Sequence, residues 1–249
     1  MEKPLVSVIM PAYRCAATIS LAIDSALAQN VPLEVLVIDD CSPEDLTEVM
    51  AGYANQKSVI YLKNQQNMGA AATRNRGVAL AKGQYVAFLD SDDIWAEGKL
   101  IKQLKVLEET GAVLCCTGRE LMTPEGERTG RYIGVKETID YRELLKHNSI
   151  SCSSVVLRSD VAKEFPMHHA DSHEDYILWL EILGKYDKAV GIDEPLLYYR
   201  LSNTGKSGSK LHSAKMTFMV YRYMGFSWPK SIACFVSYAF HGVKKYLFS

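Results

Sequence analysis

Short β-branched apolar runs, each ending in acidic or small polar residues and separated by helix-length stretches, constrain this chain more than any other feature. Leu5 to Met10, Leu33 to Ile38, Ser58 to Leu62, Tyr85 to Leu89 and Ala112 to Thr117 are the strand candidates. Their apolar character is continuous rather than alternating, as expected of strands covered on both faces. Between them, Ala16 to Gln29, Pro43 to Asn55, Ala70 to Lys82 and Glu97 to Glu109 are each long enough for several helical turns. This βαβα order predicts an α/β fold, with a mostly parallel sheet flanked by helices. The 249 residues suffice for one such domain and an appendage.

The later part is less regular. Gly118 to Lys136 is rich in Gly, Thr and charge; a strand is expected at Cys152 to Leu157, a helix from about Glu174 to Tyr186, and short strands at Ala189 to Ile192 and Leu196 to Arg200. Residues 1–117 read as a ligand-binding half and 118–210 as the second half of one domain. Residues 211–249 read as two helices parted near Trp228-Pro229, since proline suits a first turn but not a helix interior.

The six cysteines form neither a CxxC pair nor an evenly spaced framework and read as reduced thiols of a cytosolic protein. No signal-peptide pattern opens the chain and no uninterrupted apolar run of about 18 residues occurs, so neither export nor a membrane span is expected. From Lys206 to Ser249 there are seven cations and no Asp or Glu, and a net charge of −1 for the whole chain leaves −8 for the rest. A basic tail interleaved with Met, Phe, Tyr and Trp suits an anionic surface, and a nucleic-acid partner is not expected.

Ligands of open α/β sheets gather at the carboxyl ends of the strands. Asp90-Ser91-Asp92-Asp93 follows one apolar run, and alternate carboxylates there can share Mn2+ or Mg2+ with substrate phosphates. A helix N-cap alone would not need three adjacent acids, whose repulsion is costly without a cation. Asp39 or Asp40 could accept hydrogen bonds from a nucleobase or a ribose, while Ser42-Pro43-Glu44-Asp45 resembles a capped helix start. The turn Asn67-Met68-Gly69 opens an alanine-rich helix whose Arg74 or Arg76 could face a diphosphate. Ser172-His173-Glu174-Asp175 is either a capping box or the source of a general base, Glu174 or Asp175. His168, His169 and His173 lack a well-placed further ligand for a metal. Arg200 leads into a Gly, Ser and Lys loop in which Lys206 could neutralise a leaving diphosphate.

Four ordered motifs carry a resemblance: Val6 to Tyr13, Val37 to Ser42, Asn67 to Asn75 and Phe88 to Asp93. On them the chain resembles family 2 glycosyltransferases of the GT-A fold, of the kind that assemble bacterial surface polysaccharides such as O-antigen. The resemblance implies that Pro11, Tyr13 and Asp40 contact the nucleotide, that Asp90 and Asp92 form the metal motif, and that Asp175 is the base of an inverting transfer. Asp39, Asn67, Gly69, Arg74, Ser91, Arg200 and Lys206 complete the candidate donor site. Relatives often carry a histidine where this chain runs Leu201 to Lys206, and the Gln-x-x-Arg-Trp signature of processive synthases is absent, so transfer of a single sugar is expected.

The expected activity is therefore a metal-dependent transfer from a nucleotide sugar, by default UDP-hexose, to a lipid-linked or glycan acceptor. The basic tail would dock on the inner face of the cell membrane or pack in a homodimer. The rivals are a sugar-phosphate nucleotidyltransferase, for which no Gly-rich triphosphate loop with Lys follows the first strand, and a non-catalytic nucleotide- or glycan-binding protein.

Overall fold

The computed structural model describes residues 3–201 and 210–247. Four strands, β1 (Val6–Ala12), β2 (Leu33–Asp39), β3 (Val59–Lys63) and β4 (Tyr85–Phe88), alternate with α1 (Ile19–Leu27), α2 (Thr47–Ala51) and α3 (Ala70–Leu80). They run parallel in the order β3-β2-β1-β4, which brings the ends of β1, β2 and β4 to one edge. A two-residue strand β5 (Ile94–Trp95) and α4 (Lys99–Thr110) follow, then β6 (Leu114–Met122), β7 (Arg128–Ile133), β8 (Thr138–Asp140) and α5 (Tyr141–Lys146). The chain continues through β9 (Val156–Arg158), α6 (Ser159–Glu164), α7 (Glu174–Tyr186), β10 (Lys188–Arg200), α8 (Lys210–Tyr223) and α9 (Trp228–Leu247).

The sheet is parallel through its first half and mixed thereafter. β9 lies antiparallel between β4 and β6, and β10 runs parallel to β6. Both faces are covered, as the continuous apolar runs require: Ile9, Leu36 and Phe88 pack toward α3 and α7, while Val8, Val35 and Ala87 pack toward α1 and α4.

Several sequence expectations are corrected. The stretch 118–136 is not irregular but forms the end of β6 and the antiparallel β7. The two strands expected between Ala189 and Arg200 are one, whose register shifts around Pro195, a residue with no N–H to give a ladder. Cys152 to Ser154 form a 3-10 turn rather than strand, since the Ser154 hydroxyl donates to Ser151 O at 2.7 Å. Helix α2 starts at Thr47, not Pro43, because the polar residues before it serve a neighbouring loop. Ser42 Oγ accepts from Arg14 N at 3.0 Å and Glu44 Oε2 from Ala16 N at 3.0 Å.

The break between α8 and α9 falls where proline placed it. Helix α8 is built into the body of the molecule: Met216, Val220 and Tyr221 are buried, and Tyr221 OH donates to Leu145 O at 2.9 Å. Among the described residues no helix is long and apolar enough to cross a membrane.

Helix α3 lies against β1 because its contact face is small. A Cβ at Gly77 would stand 2.5 Å from Ile9 Cγ2. Gly77→Val is expected to destabilise the fold by about 1–3 kcal/mol through overpacking, read as a lower urea midpoint at constant m-value; an unchanged midpoint would show that α3 has slack.

Candidate active site

The turn after β4 is held from three sides. Asp93 N donates to Asp90 O at 3.1 Å, closing the turn, and Asp90 N donates to Ser153 Oγ at 3.1 Å. Thr18 Oγ1 donates to Ser91 O at 2.9 Å. From the end of β10, Arg200 N donates to Asp93 Oδ1 at 2.9 Å and Arg200 Nε to Asp92 O at 2.8 Å. Arg200 Nη1 also donates to Pro124 O at 3.1 Å, which ties the β6–β7 connection to the same turn.

These ties concentrate negative charge. Burial, reinforced by the neighbouring Asp90 carboxylate, pushes Asp92 up to about 6. Burial and the Asp92 and Asp90 charges hold Asp93 well above the ordinary range. Asp93 Oδ2 is buried and has no hydrogen-bond partner among the described residues.

Two buried guanidinium groups answer this charge, Arg200 and Arg74, and of the two Arg74 pairs with an Asp90 carboxylate oxygen. Arg74 of α3 is 6% exposed; its Nη2 donates to Asp90 Oδ1 at 2.6 Å and its Nη1 to Glu174 Oε1 at 3.3 Å. Burial alone would lower the guanidinium pKa, but Asp90 and Glu174 outweigh it and raise it well above its usual value. Arg74, expected to face a diphosphate, thus bridges the β4 turn to the start of α7. Arg76 turns away to Lys63 O and the Asn64 side chain.

Asp175 follows Glu174 in the first turn of α7, where burial and then the Glu174 charge raise its pKa against the pull of His173 and Arg74. A carboxyl shifted toward neutrality suits proton acceptance. The capping-box reading is overturned: the N-cap is His173, without a side-chain cap bond, and Ser172 Oγ instead donates to Met216 O of α8 at 2.8 Å.

The other end of the site lies beyond β1 and β2. Pro11 is the penultimate residue of β1, and Tyr13 is 43% exposed with the Arg14 guanidinium 5.4 Å from its ring centroid. Asp40 Oδ1 accepts from Asn64 Nδ2 at 2.7 Å and Met68 N at 2.8 Å, and Oδ2 from Gly69 N at 2.8 Å. Burial would raise its pKa, but these donors and Thr73 outweigh it and hold the carboxyl below its ordinary value. Asn67 Nδ2 donates to Asp40 O at 3.2 Å, and Gly69, with φ of 82°, lets the chain turn into α3. Asp39 is fully buried and accepts from Ser42 N and Tyr61 OH, both at 2.7 Å, with Lys63 Nζ at 3.3 Å. It anchors β2 to β3.

Lys206 lies outside the described residues. Of the histidines, His169 stacks on Tyr223 at 3.7 Å. Among the described residues no three ligand-type side chains form a ready-made metal cage. That is compatible with Mg2+ or Mn2+ bound through one or two carboxylates and substrate phosphates, and the orphaned Asp93 Oδ2 beside two acids fits such an ion.

Sequence reading missed the supports. Ser153 accepts from Asp90 N through its hydroxyl and from Trp95 Nε1 through its carbonyl, at 2.7 Å. Cys152, its thiol pushed well up by burial, lies among Arg74, Asp90, Asp175 and Glu174. The one available signal was the run Ser151-Cys152-Ser153-Ser154, unusually polar for a buried strand.

A parallel nucleotide-type sheet ending in an acid cluster, with a raised carboxyl across from it, defines a transferase-like site, and the comparisons specify it. The chain belongs to glycosyl transferase family 2, whose family model matches residues 7–165. It is 37% identical over 98% of both chains to a Bacillus subtilis protein with the provisional name teichuronic acid biosynthesis glycosyltransferase TuaG. It is 34% identical, over 98% of this chain and 96% of the other, to the Escherichia coli UDP-Glc:alpha-D-GlcNAc-diphosphoundecaprenol beta-1,3-glucosyltransferase WfaP. The fold is similar to Staphylococcus aureus TarS 1-349 solved with UDP-GlcNAc, at TM-score 0.71 and 16% identity over 94% of this chain and 71% of that one. It also matches the Pyrobaculum calidifontis mannosyltransferase PcManGT with GDP-Man and Mn2+, at TM-score 0.70 and 16% identity over 96% and 70%.

The raised pKa of Asp92 sets a stability signature. Its folded value lies above its unfolded one, so its contribution is present at low pH and lost as pH rises through about 6. Without metal, the melting temperature is expected to fall more steeply between about pH 5 and about pH 7.5 in the wild type than in Asp92→Asn, by differential scanning fluorimetry; equal slopes would contradict the shift.

Proposed function

We propose that this chain transfers a single hexose from a UDP-sugar, with inversion, to a hydroxyl of a lipid-linked acceptor at the cytoplasmic face of the cell membrane, during surface-polysaccharide assembly. The observation that carries this reading is the Asp90–Asp93 cluster joined through Arg74 to the Glu174-Asp175 pair. WfaP supports the donor and acceptor classes, since its name specifies UDP-Glc and a diphosphoundecaprenol-linked sugar. UDP-glucose being an α-glycoside, the beta product in that name supports inversion. The Mn2+ complex of PcManGT supports metal use.

In this reading residues 1–117 hold the donor and 118–210 the acceptor. Pro11 and Tyr13 line the nucleotide end, with Asp40 fixing the Asn67–Gly69 turn beside it. Asp90 and Asp92 would hold Mn2+ or Mg2+, which when bound would supply positive charge for the departing diphosphate. Asp175 takes the proton of the acceptor hydroxyl as its oxygen bonds to the anomeric carbon and the bond to the UDP oxygen breaks. Glu174 is held in its ion pair with Arg74, and Asp175 is the carboxyl that receives the proton. Lys206 and the loop around it would meet the leaving group.

Asp175→Asn is expected to lower kcat by about 10²- to 10⁴-fold in a coupled UDP-release assay, while calorimetric binding of UDP-hexose with Mn2+ is unchanged. The acid limb of kcat/KM should lie above the ordinary carboxylate range, because the base must be ionised and its pKa is raised. Full turnover in the variant, or release of pyrophosphate in place of UDP, would contradict the assignment.

A further inference from the structure

Helix α9 has two unlike faces. Its inner face packs on the body of the molecule: the Tyr238 ring stacks on His147 at 5.4 Å and lies 6.0 Å from Tyr176, and Phe235 meets Phe218 of α8 at 6.0 Å. Its outer face carries Trp228, Ile232 and Val236, exposed by 62%, 52% and 61%, and Phe240 continues the row. At about 100° per residue these positions fall on one side of the helix, where Pro229, Ala233 and Ala239 also lie. Isolated exposed apolar residues need no explanation, but a continuous row of large ones marks a contact surface.

The charge around this row selects the partner. Among the described residues Arg222 lies 4.8 Å from the Trp228 ring and Lys230 is exposed beside the row, in a stretch, 206–249, whose sequence has seven cations and no acid. A second copy of the chain would bring the same positive charge to the interface and repel it. An anionic lipid surface would attract it, each nearby cation contributing about 1 kcal/mol. The Trp228 ring, held at one side by Phe218 at 5.6 Å and Arg222 at 4.8 Å, presents the amphipathic side chain favoured at a membrane interface.

We infer that the outer face of α9 lies in the headgroup boundary of an anionic bilayer, with Trp228, Ile232 and Val236 inserted and Arg222 and Lys230 against the lipid phosphates. This rests on the reading above in taking the acceptor to be membrane-borne. The hairpin that carries the face is fastened to the lead-in of α7. Tyr223 stacks on His169 and donates to Asp171 Oδ2 at 2.6 Å, and Met216 O holds Ser172. A docked α9 therefore holds Asp175 at a fixed distance from the lipid surface.

The test is co-sedimentation of the full chain with phosphatidylcholine vesicles, with and without phosphatidylglycerol. Binding is expected on the anionic vesicles, with a blue shift of tryptophan emission, because Trp228 is exposed while Trp95 and Trp179 are buried. The double variant Ile232→Glu, Val236→Glu should bind anionic vesicles at least about tenfold more weakly, with unchanged circular dichroism and unchanged UDP affinity. Equal binding to neutral vesicles, or equal binding by the double variant, would overturn the inference. So would a wild-type dimer that ignores vesicles and is split by the same two substitutions. Vesicle binding and UDP release are read separately, so the loss of one without the other identifies which of the two readings has failed.

Discussion

A single buried guanidinium has to satisfy carboxylates arriving from two directions. Arg74 reaches Asp90 at the end of the parallel half of the sheet and Glu174 at the start of the helix that carries Asp175. Uncompensated buried charges cost about 3–5 kcal/mol when one partner of a pair is removed, so α3, the β4 turn and α7 are energetically one unit. The sequence of α3 serves that end. Ala71, Arg74 and Gly77 share a face at helical spacing, and the close approach of Gly77 to Ile9 sets the depth at which Arg74 extends over the sheet edge.

Arg74 does not neutralise the site completely. Asp92 and Asp93 remain beyond its direct bonds, and burial together with mutual repulsion raises both. An acid cluster kept short of cations, at the strand ends where a nucleotide diphosphate is read to lie, is the electrostatic condition under which a divalent ion and phosphate bind together. The structural partners of Arg200 and Asp39 keep that condition in place: one fastens β10 to the turn, the other fastens β2 to β3.

The parts of this arrangement legible in sequence were those written in local pattern. The apolar runs marked β1, β2 and β4, the acids after them marked the site edge, and Glu174 to Tyr186 were placed as a helix because their periodicity is strong. What escaped was set by partners distant in the chain. The hydroxyl of Ser172 looked like a cap but is used by α8, 44 residues on. For Arg74 or Arg76 the sequence suggested a diphosphate; the two carboxylates that Arg74 pairs with lie 16 and 100 residues away and were not visible in it. Ser153 was hidden inside a segment that local hydrogen bonding turned from strand into a 3-10 turn.

The central claim is that burial and mutual repulsion hold Asp92 and Asp93 above the ordinary carboxylate range until a cation arrives. Isothermal titration of Mn2+ with UDP into the protein at about pH 6.5, repeated in buffers of different ionisation enthalpy, counts the protons released on binding. The account predicts net proton release in the wild type, reduced in Asp92→Asn. Binding heats that are independent of the buffer, or release that Asp92→Asn leaves untouched, would contradict it.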